Sequence, residues 1–314
     1  MKKVLITLSF VLVTSFIFSQ DYRLGKVSKE ELQEKYYPLD SSANAAVLYK
    51  KSKTYYTYNE QLGWTLITEV HERIKIYNKE GYDWATKKIT LYAEDEQEKL
   101  TIKAYTYNLE KGKIEKIKLK NGDIFSENMN KYWNATKFTM PNLTEGCVVE
   151  WEYTIRSPYY WHIDEIQIQY KIPVKFIEAQ VTTPDFFVFK NQTKGYIPFN
   201  INKTQKQSSM VFLNKRRESN GYVEKTSFNQ EKVTYVSNVL EFQLNDVPAI
   251  IEEPYVNNID NYTSSLKFEL TAYTPKYDTH KYYNTTWEDV TKKLFIKVLI
   301  LGKNLKSHHI LKMI

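Results

Sequence analysis

The sequence predicts an all-β protein, a large antiparallel β-sandwich with short flanking helices. Apolar residues alternate with polar ones in nearly every apolar segment, the period of a half-buried strand. Turn signals rather than helical patterns separate those segments. Residues that favour pleated surfaces are abundant: aromatics make up 15% of the chain and tyrosine alone accounts for 26 residues, against 9 glycines and 9 prolines.

In chain order, Ser28 with Glu31 three residues on is a capping box, which predicts a short helix to about Glu34, stopped ahead of Tyr36-Tyr37-Pro38. The first strand is expected near Leu48-Tyr49. From Leu66 to Tyr77, Val70, Ile74 and Ile76 face one way and His71, Arg73, Lys75 and Tyr77 the other, and Asn78 to Gly81 turns the chain. Leu100, Ile102 and Ala104 oppose Lys103, Tyr105 and Tyr107. Glu110-Lys111-Gly112 and Asn121-Gly122 read as hairpin turns around Ile114 to Leu119. Val149, Trp151, Tyr153 and Ile155 alternate with Glu150, Glu152 and Thr154, and Ile166, Ile168 and Tyr170 with Gln167 and Gln169. Further strands are predicted at Ile177–Thr183, Phe186–Lys190, Lys232–Val236, Leu240–Leu244 and Leu266–Ala272. Asn191 to Asn220 is polar and weakly patterned and reads as long loops. A second helix is expected over Trp287–Phe295. Half-buried strands of this kind suit antiparallel sheets with one wet face.

The N-terminus reads as a secretory signal peptide over residues 1–19. Met1-Lys2-Lys3 is a basic start, Val4 to Phe18 is an apolar run too short for a comfortable span, and Ser19 offers a small residue at the cut. The mature chain is therefore expected across the inner membrane, in the periplasm or outside the cell, with no membrane span after cleavage. A single cysteine excludes an internal disulfide framework despite that location. The net charge of +7 comes from lysines spread along alternating strands, not from a clustered, arginine-bearing patch, which argues against nucleic-acid binding.

From Lys297 to Ile314 the text changes character: it loses strand alternation and all acidic residues. A one-base shift of an A/T-rich back-translation converts it to a polar segment that continues the stretch Thr286 to Leu294. The tail is accordingly read as a frame-slip product that truncates a longer protein.

The residues that could carry chemistry are few. Cys147 opens an apolar strand and reads as a small buried hydrophobe, not a thiolate nucleophile. His71, His162 and His280 are isolated, without metal-ligand spacing. Glu150 and Glu152 share one strand face, read as a solvated one. Asp164-Glu165 stand beside Trp161 and His162 where a sugar or cation could bind, and Tyr159, Tyr160 and Trp161 form a candidate contact surface. No catalytic, cofactor-binding or metal-ligating residue is assigned.

One set of motifs, taken in order, is informative. It runs from Tyr37-Pro38-Leu39-Asp40 through His71-Glu72-Arg73-Ile74-Lys75 and Lys137 to Asn142 to Glu145-Gly146-Cys147-Val148-Val149-Glu150. Ile172-Pro173-Val174, Glu252-Glu253-Pro254-Tyr255 and Trp287-Glu288-Asp289 complete it. This set resembles the bacterial secreted domain of unknown function that directly precedes transglutaminase-like domains. The resemblance implies a large β-sandwich over residues 20–275, with 276–314 a truncated helical linker toward an absent Cys-His-Asp domain. It implies a non-catalytic module that packs against that partner or binds substrate or envelope material. The alternatives are a stand-alone module for envelope polysaccharide or protein, and an enzyme in its own right, for which no nucleophile–base pair is visible.

Overall fold

The computed structural model describes residues 22–59, 61–93, 98–219, 224–274, 281–283 and 291. The fold is all-β, as predicted. A short α-helix, α1 (Lys29–Gln33), precedes the strands β1 (Ala45–Asn59), β2 (Gly63–Ile76), β3 (Thr86–Tyr92), β4 (Lys99–Glu110) and β5 (Lys113–Lys118). Then follow β6 (Ile124–Asn128), β7 (Trp133–Thr139), β8 (Val148–Ser157), β9 (Ile166–Gln167), β10 (Val174–Pro184) and β11 (Phe187–Lys194). The last are β12 (Asn202–Ser219), β13 (Glu224–Val247), β14 (Ser265–Tyr273) and β15 (Lys281–Tyr282). The predicted signal peptide and the stretch 292–314 lie outside the described residues, as does all but one residue of the predicted second helix. Among the described residues no helix is long and apolar enough to cross a membrane.

Eight strands form one large sheet in the order β12-β13-β10-β1-β2-β8-β4-β5. Two smaller sheets, β3-β7-β6 and β11-β14-β15 with β9 added to β14, pack on one of its faces. Pairing is antiparallel except between β1 and β10, which run parallel. Val47, Ile74, Val149, Trp151 and Ile177 of the large sheet meet Ile89, Phe138, Phe187 and Leu266 of the small ones in a single core. The residues expected to point inward do so: Val70, Ile74, Ile76, Val149, Trp151 and Ile168 are buried, and Ile102 and Tyr153 pack against the core while partly exposed.

Local chemistry explains the connections. At α1, Ser28 Oγ accepts from Glu31 N (3.2 Å) and Glu31 Oε2 from Ser28 N (2.7 Å), so the predicted capping box is present. Lys111 and Gly112 both have positive φ (48° and 74°) in the two-residue turn joining β4 to β5, the backbone that matches strand twist.

Three expectations need correction. Asn121-Gly122 does not close a hairpin: it makes a short turn between β5 and β6, which lie in different sheets. Asn191 to Asn220 is not loop: β12 alone takes 18 residues of it, in register with β13 from Asn202↔Glu241 to Ser219↔Glu224. β12 is the edge strand of its sheet, and from 202 to 209 it carries polar residues on both faces, so backbone pairing holds that part without any alternation to betray it. Nor is the second face of the large sheet uniformly wet. The strap 22–34, including α1, covers part of it and forms a second core of Val27, Leu32, Leu48, Tyr107 and Val148.

Candidate functional site

The predicted surface Tyr159-Tyr160-Trp161 lies at one end of the sandwich, where all three sheets converge. The segment after β8 turns tightly: Tyr159 N donates to Ser157 Oγ (3.1 Å) and His162 N to Tyr159 O (3.1 Å). That turn buries Tyr159 (7% exposed) and turns Trp161 outward (48%). Both neighbouring tyrosines meet the indole edge-to-face, at 5.4 Å from Tyr159 and 5.1 Å from Tyr160. Tyr159 is in turn met by Tyr92 of β3 at 4.7 Å, and Tyr160 by Phe187 of β11 at 5.2 Å. Tyr56 of β1 donates its hydroxyl to Tyr160 O (2.7 Å). Ring pairs of this kind contribute roughly 0.5–1.5 kcal/mol each beyond area burial, so the exposed indole sits on a stiff base.

The polar groups beside the rings are already arranged. His162 Nε2 lies 3.6 Å from Asp164 Oδ1, both exposed. Glu98 accepts from Tyr92 N (2.8 Å), and burial pushes its carboxyl above the usual range. Glu165 does not join Asp164 as the sequence suggested. It is held by Lys194 (2.9 Å), Lys267 (3.3 Å) and the Ser265 hydroxyl, and these outweigh its burial to lower its pKa. Among the described residues no group of three or more His, Cys, Asp or Glu side chains could hold a metal ion.

Sequence reasoning missed two ionic clusters, which lie on opposite faces of β2 and β8. On the strap side, Glu150 is fully buried, which corrects the solvated face assigned to it. Its Oε1 accepts from Arg73 Nε (2.9 Å) and Nη2 (2.6 Å) and lies 2.9 Å from His71 Nε2. Its Oε2 accepts from Tyr107 Oη and from Gly25 N, both at 2.8 Å. Arg73 also donates to Glu31 Oε1 (2.9 Å) and to Arg23 O (3.1 Å), so one guanidinium ties two points of the strap to the sheet. Lys75 Nζ donates to Leu32 O (2.8 Å) and Gly146 O (2.7 Å). Burial favours the neutral form of Glu150, but His71, Arg73 and Gly25 prevail and lower its pKa.

Between the sheets, Glu72 Oε2 accepts from Lys87 Nζ (2.5 Å) and Trp151 Nε1 (2.7 Å), and its Oε1 lies 3.6 Å from Lys50 Nζ. Lys50 donates to Gln167 O (2.8 Å) and to the Tyr170 hydroxyl. Burial pulls Lys50 down to about 8. Glu72 is held at about 2, because Lys87, Lys50 and the two hydrogen bonds overcome its burial. The available clue was the density of charge in His71-Glu72-Arg73-Ile74-Lys75, within a long strand that has apolar neighbours on both sides. Cys147 is fully buried in the main core, and burial pushes its thiol up, consistent with the structural role assigned to it.

A model of a family described as a domain of unknown function with a solved structure (DUF3857) matches residues 65–251. No curated protein matches the chain. Among solved structures, the fold is similar to that of a "putative protease" from Parabacteroides distasonis ATCC 8503, with a TM-score of 0.50 and 11% identity. That match covers 73% of this chain and 41% of the other, so the chain spans well under half the length of the protein it resembles in fold.

Proposed function

We propose that this chain, which belongs to the DUF3857 family of domains of unknown function, acts as the non-catalytic β-sandwich module of a larger secreted protein with a transglutaminase-like partner domain. In this reading its aromatic end contacts envelope polysaccharide. The observation that carries the binding role is the exposed Trp161 indole fixed by Tyr159 and Tyr160. Sugar rings present flat C–H faces that pack on such a surface, and His162 and Asp164 stand beside it to bond hydroxyls. The order of motifs shared with domains that precede transglutaminase-like enzymes supports the parent architecture. The greater length of the solved protein of similar fold is consistent with it. The burial of the one cysteine supports a non-catalytic role for the domain, since a nucleophilic thiolate needs access and a base.

Co-sedimentation with purified cell-wall sacculi tests the reading. Wild-type protein is expected in the pellet. Trp161→Ala is expected to weaken retention at least tenfold while keeping the β-sheet circular-dichroism spectrum and lowering the melting temperature only by the modest amount that its two ring contacts account for. Equal retention of both proteins would remove the aromatic end from the proposal. Amine incorporation or peptide hydrolysis by the purified chain, abolished in Cys147→Ala, would overturn the non-catalytic assignment.

A further inference from the structure

The sandwich is open along one side. There β10, β13 and β12 of the large sheet and β11 and β14 of a small one line a groove of about 580 Å³. Val181 and Leu240 make its apolar floor, and Phe187, Phe189 and Phe268 its wall. Among the described residues, β11 pairs only with β14 and is a terminal strand of its sheet, and β12 is a terminal strand of the large one. Both line the groove, so two strand edges without a further strand partner border a half-apolar channel. An unpaired edge offers a row of backbone N–H and C=O groups that another strand can satisfy.

The groove also has polarity along its length. Asp185 lines one end, and Lys203, donating to Asn191 Oδ1 (3.3 Å), marks the other. Asp185 N bonds Val236 O, whereas Lys203 is in register with Leu240, so the two charges stand four residues apart along β13. At the rise of an extended chain that is roughly 13 Å.

We propose that this groove takes an extended polypeptide segment, which adds as a strand to the outer edge of β11 and sets an acidic residue against Lys203 and a basic one, four positions away, against Asp185. In a strand, positions one, three and five point to the same face. The segment therefore carries acid, aliphatic and base at alternate positions, with the aliphatic residue over Val181 and Leu240. Backbone bonds to β11 supply affinity, and the two charges supply polarity and direction. The groove adjoins the aromatic end through Phe187 but does not require sugar binding by Trp161.

The probe is a fluorescein-labelled peptide containing Glu-Thr-Val-Thr-Lys between Gly-Ser flanks, titrated into the full chain by fluorescence anisotropy. Binding is expected with a Kd of roughly 10⁻⁵ to 10⁻⁴ M. The same peptide N-methylated on alternate residues should bind at least tenfold more weakly, since it loses the ladder bonds but keeps its side chains. Hydrogen exchange over 187–194 should slow when the unmodified peptide is added. Lys203 is exposed, so Lys203→Glu should fold normally and reduce affinity at least tenfold, with partial recovery toward a peptide whose Glu is changed to Lys. Absence of binding at about 1 mM, or affinity indifferent to N-methylation and to Lys203→Glu, would overturn the proposal. So would concentration-dependent dimerisation that protects 187–194 without peptide, because the occupant would then be a second copy of the chain.

Discussion

Glu72 and Arg73 are neighbours in β2, and both are buried, yet the pleat sends them to opposite faces of the large sheet. Glu72 turns into the sandwich, where Lys87 of β3 and Trp151 of β8 hold it. Arg73 turns outward, where Glu150 of β8 and Glu31 of α1 hold it. The first cluster joins a small sheet to the large one; the second fastens a short strap to a finished sheet. Equal burial therefore gives unequal reach: cutting the inner cluster should loosen the whole sandwich, and cutting the outer one should free the strap alone.

Glu72→Ala breaks the comparison hardest. It leaves Lys50 and the Trp151 N–H buried without their carboxylate, and removing one partner of a buried pair costs about 3–5 kcal/mol. Urea unfolding followed by tryptophan fluorescence should show one transition shifted by that amount. A shift under about 1 kcal/mol would mean that water reaches the cluster and that it does not join the sheets.

Glu31→Ala sharpens the contrast. It removes the capping-box carboxylate and one of the two carboxylates that hold Arg73, but Glu150 and the Arg23 carbonyl stay in place. The expected cost is about 1–3 kcal/mol, borne locally. Hydrogen exchange should rise across 22–34 while β2 and β8 keep their protection. Uniform loss of protection would show that the strap is part of the global folding unit. Cys147→Ala should matter less, roughly 1 kcal/mol by denaturant titration, because a small buried group is removed from the core without stranding a charge.

The same pair of residues shows how much the sequence could reveal. Alternation through β2 and β8 identified the inward set Val70, Ile74, Val149 and Trp151, because the apolar side of a strand declares itself residue by residue. It also placed His71, Arg73 and Glu150 on the other face, but could not tell whether water or the strap covers that face. The covering segment lies 42 residues before Arg73 at Glu31 and 125 before Glu150 at Gly25, and such long-range pairings leave no local period. The Ser28–Glu31 capping box was legible, although Glu31's second role was not. At the candidate site, the three ring residues were visible as a run. Their supports, Tyr92, Phe187 and Tyr56, come from strands far apart in sequence. In the edge hairpin, β13 was legible at Lys232–Val236 and Leu240–Leu244, but β12 was not, because its residues 202–209 are polar on both faces and leave no alternation to read.

The gentlest test compares the two buried lysines, Lys50 inside the sandwich and Lys75 under the strap. Burial pulls each down to about 8, only partly opposed by nearby carboxylates. A lysine lowered on folding binds its proton more weakly in the native state than in the unfolded one, where it titrates near 10.5. Between about pH 8 and 10 the unfolded chain therefore holds more protons, and stability should rise with pH. Above pH 10 the sign reverses. The phenols of Tyr56 and Tyr107 are raised by burial, so the unfolded chain loses those protons first and the native state loses ground. Lys50→Met should flatten the rise measured by urea midpoint, and so should Lys75→Met. Only the first should alter the cooperativity of global unfolding; the second should act through exchange at 22–34. Identical exchange maps for the two variants would erase the distinction between a cluster that joins sheets and one that fastens a strap.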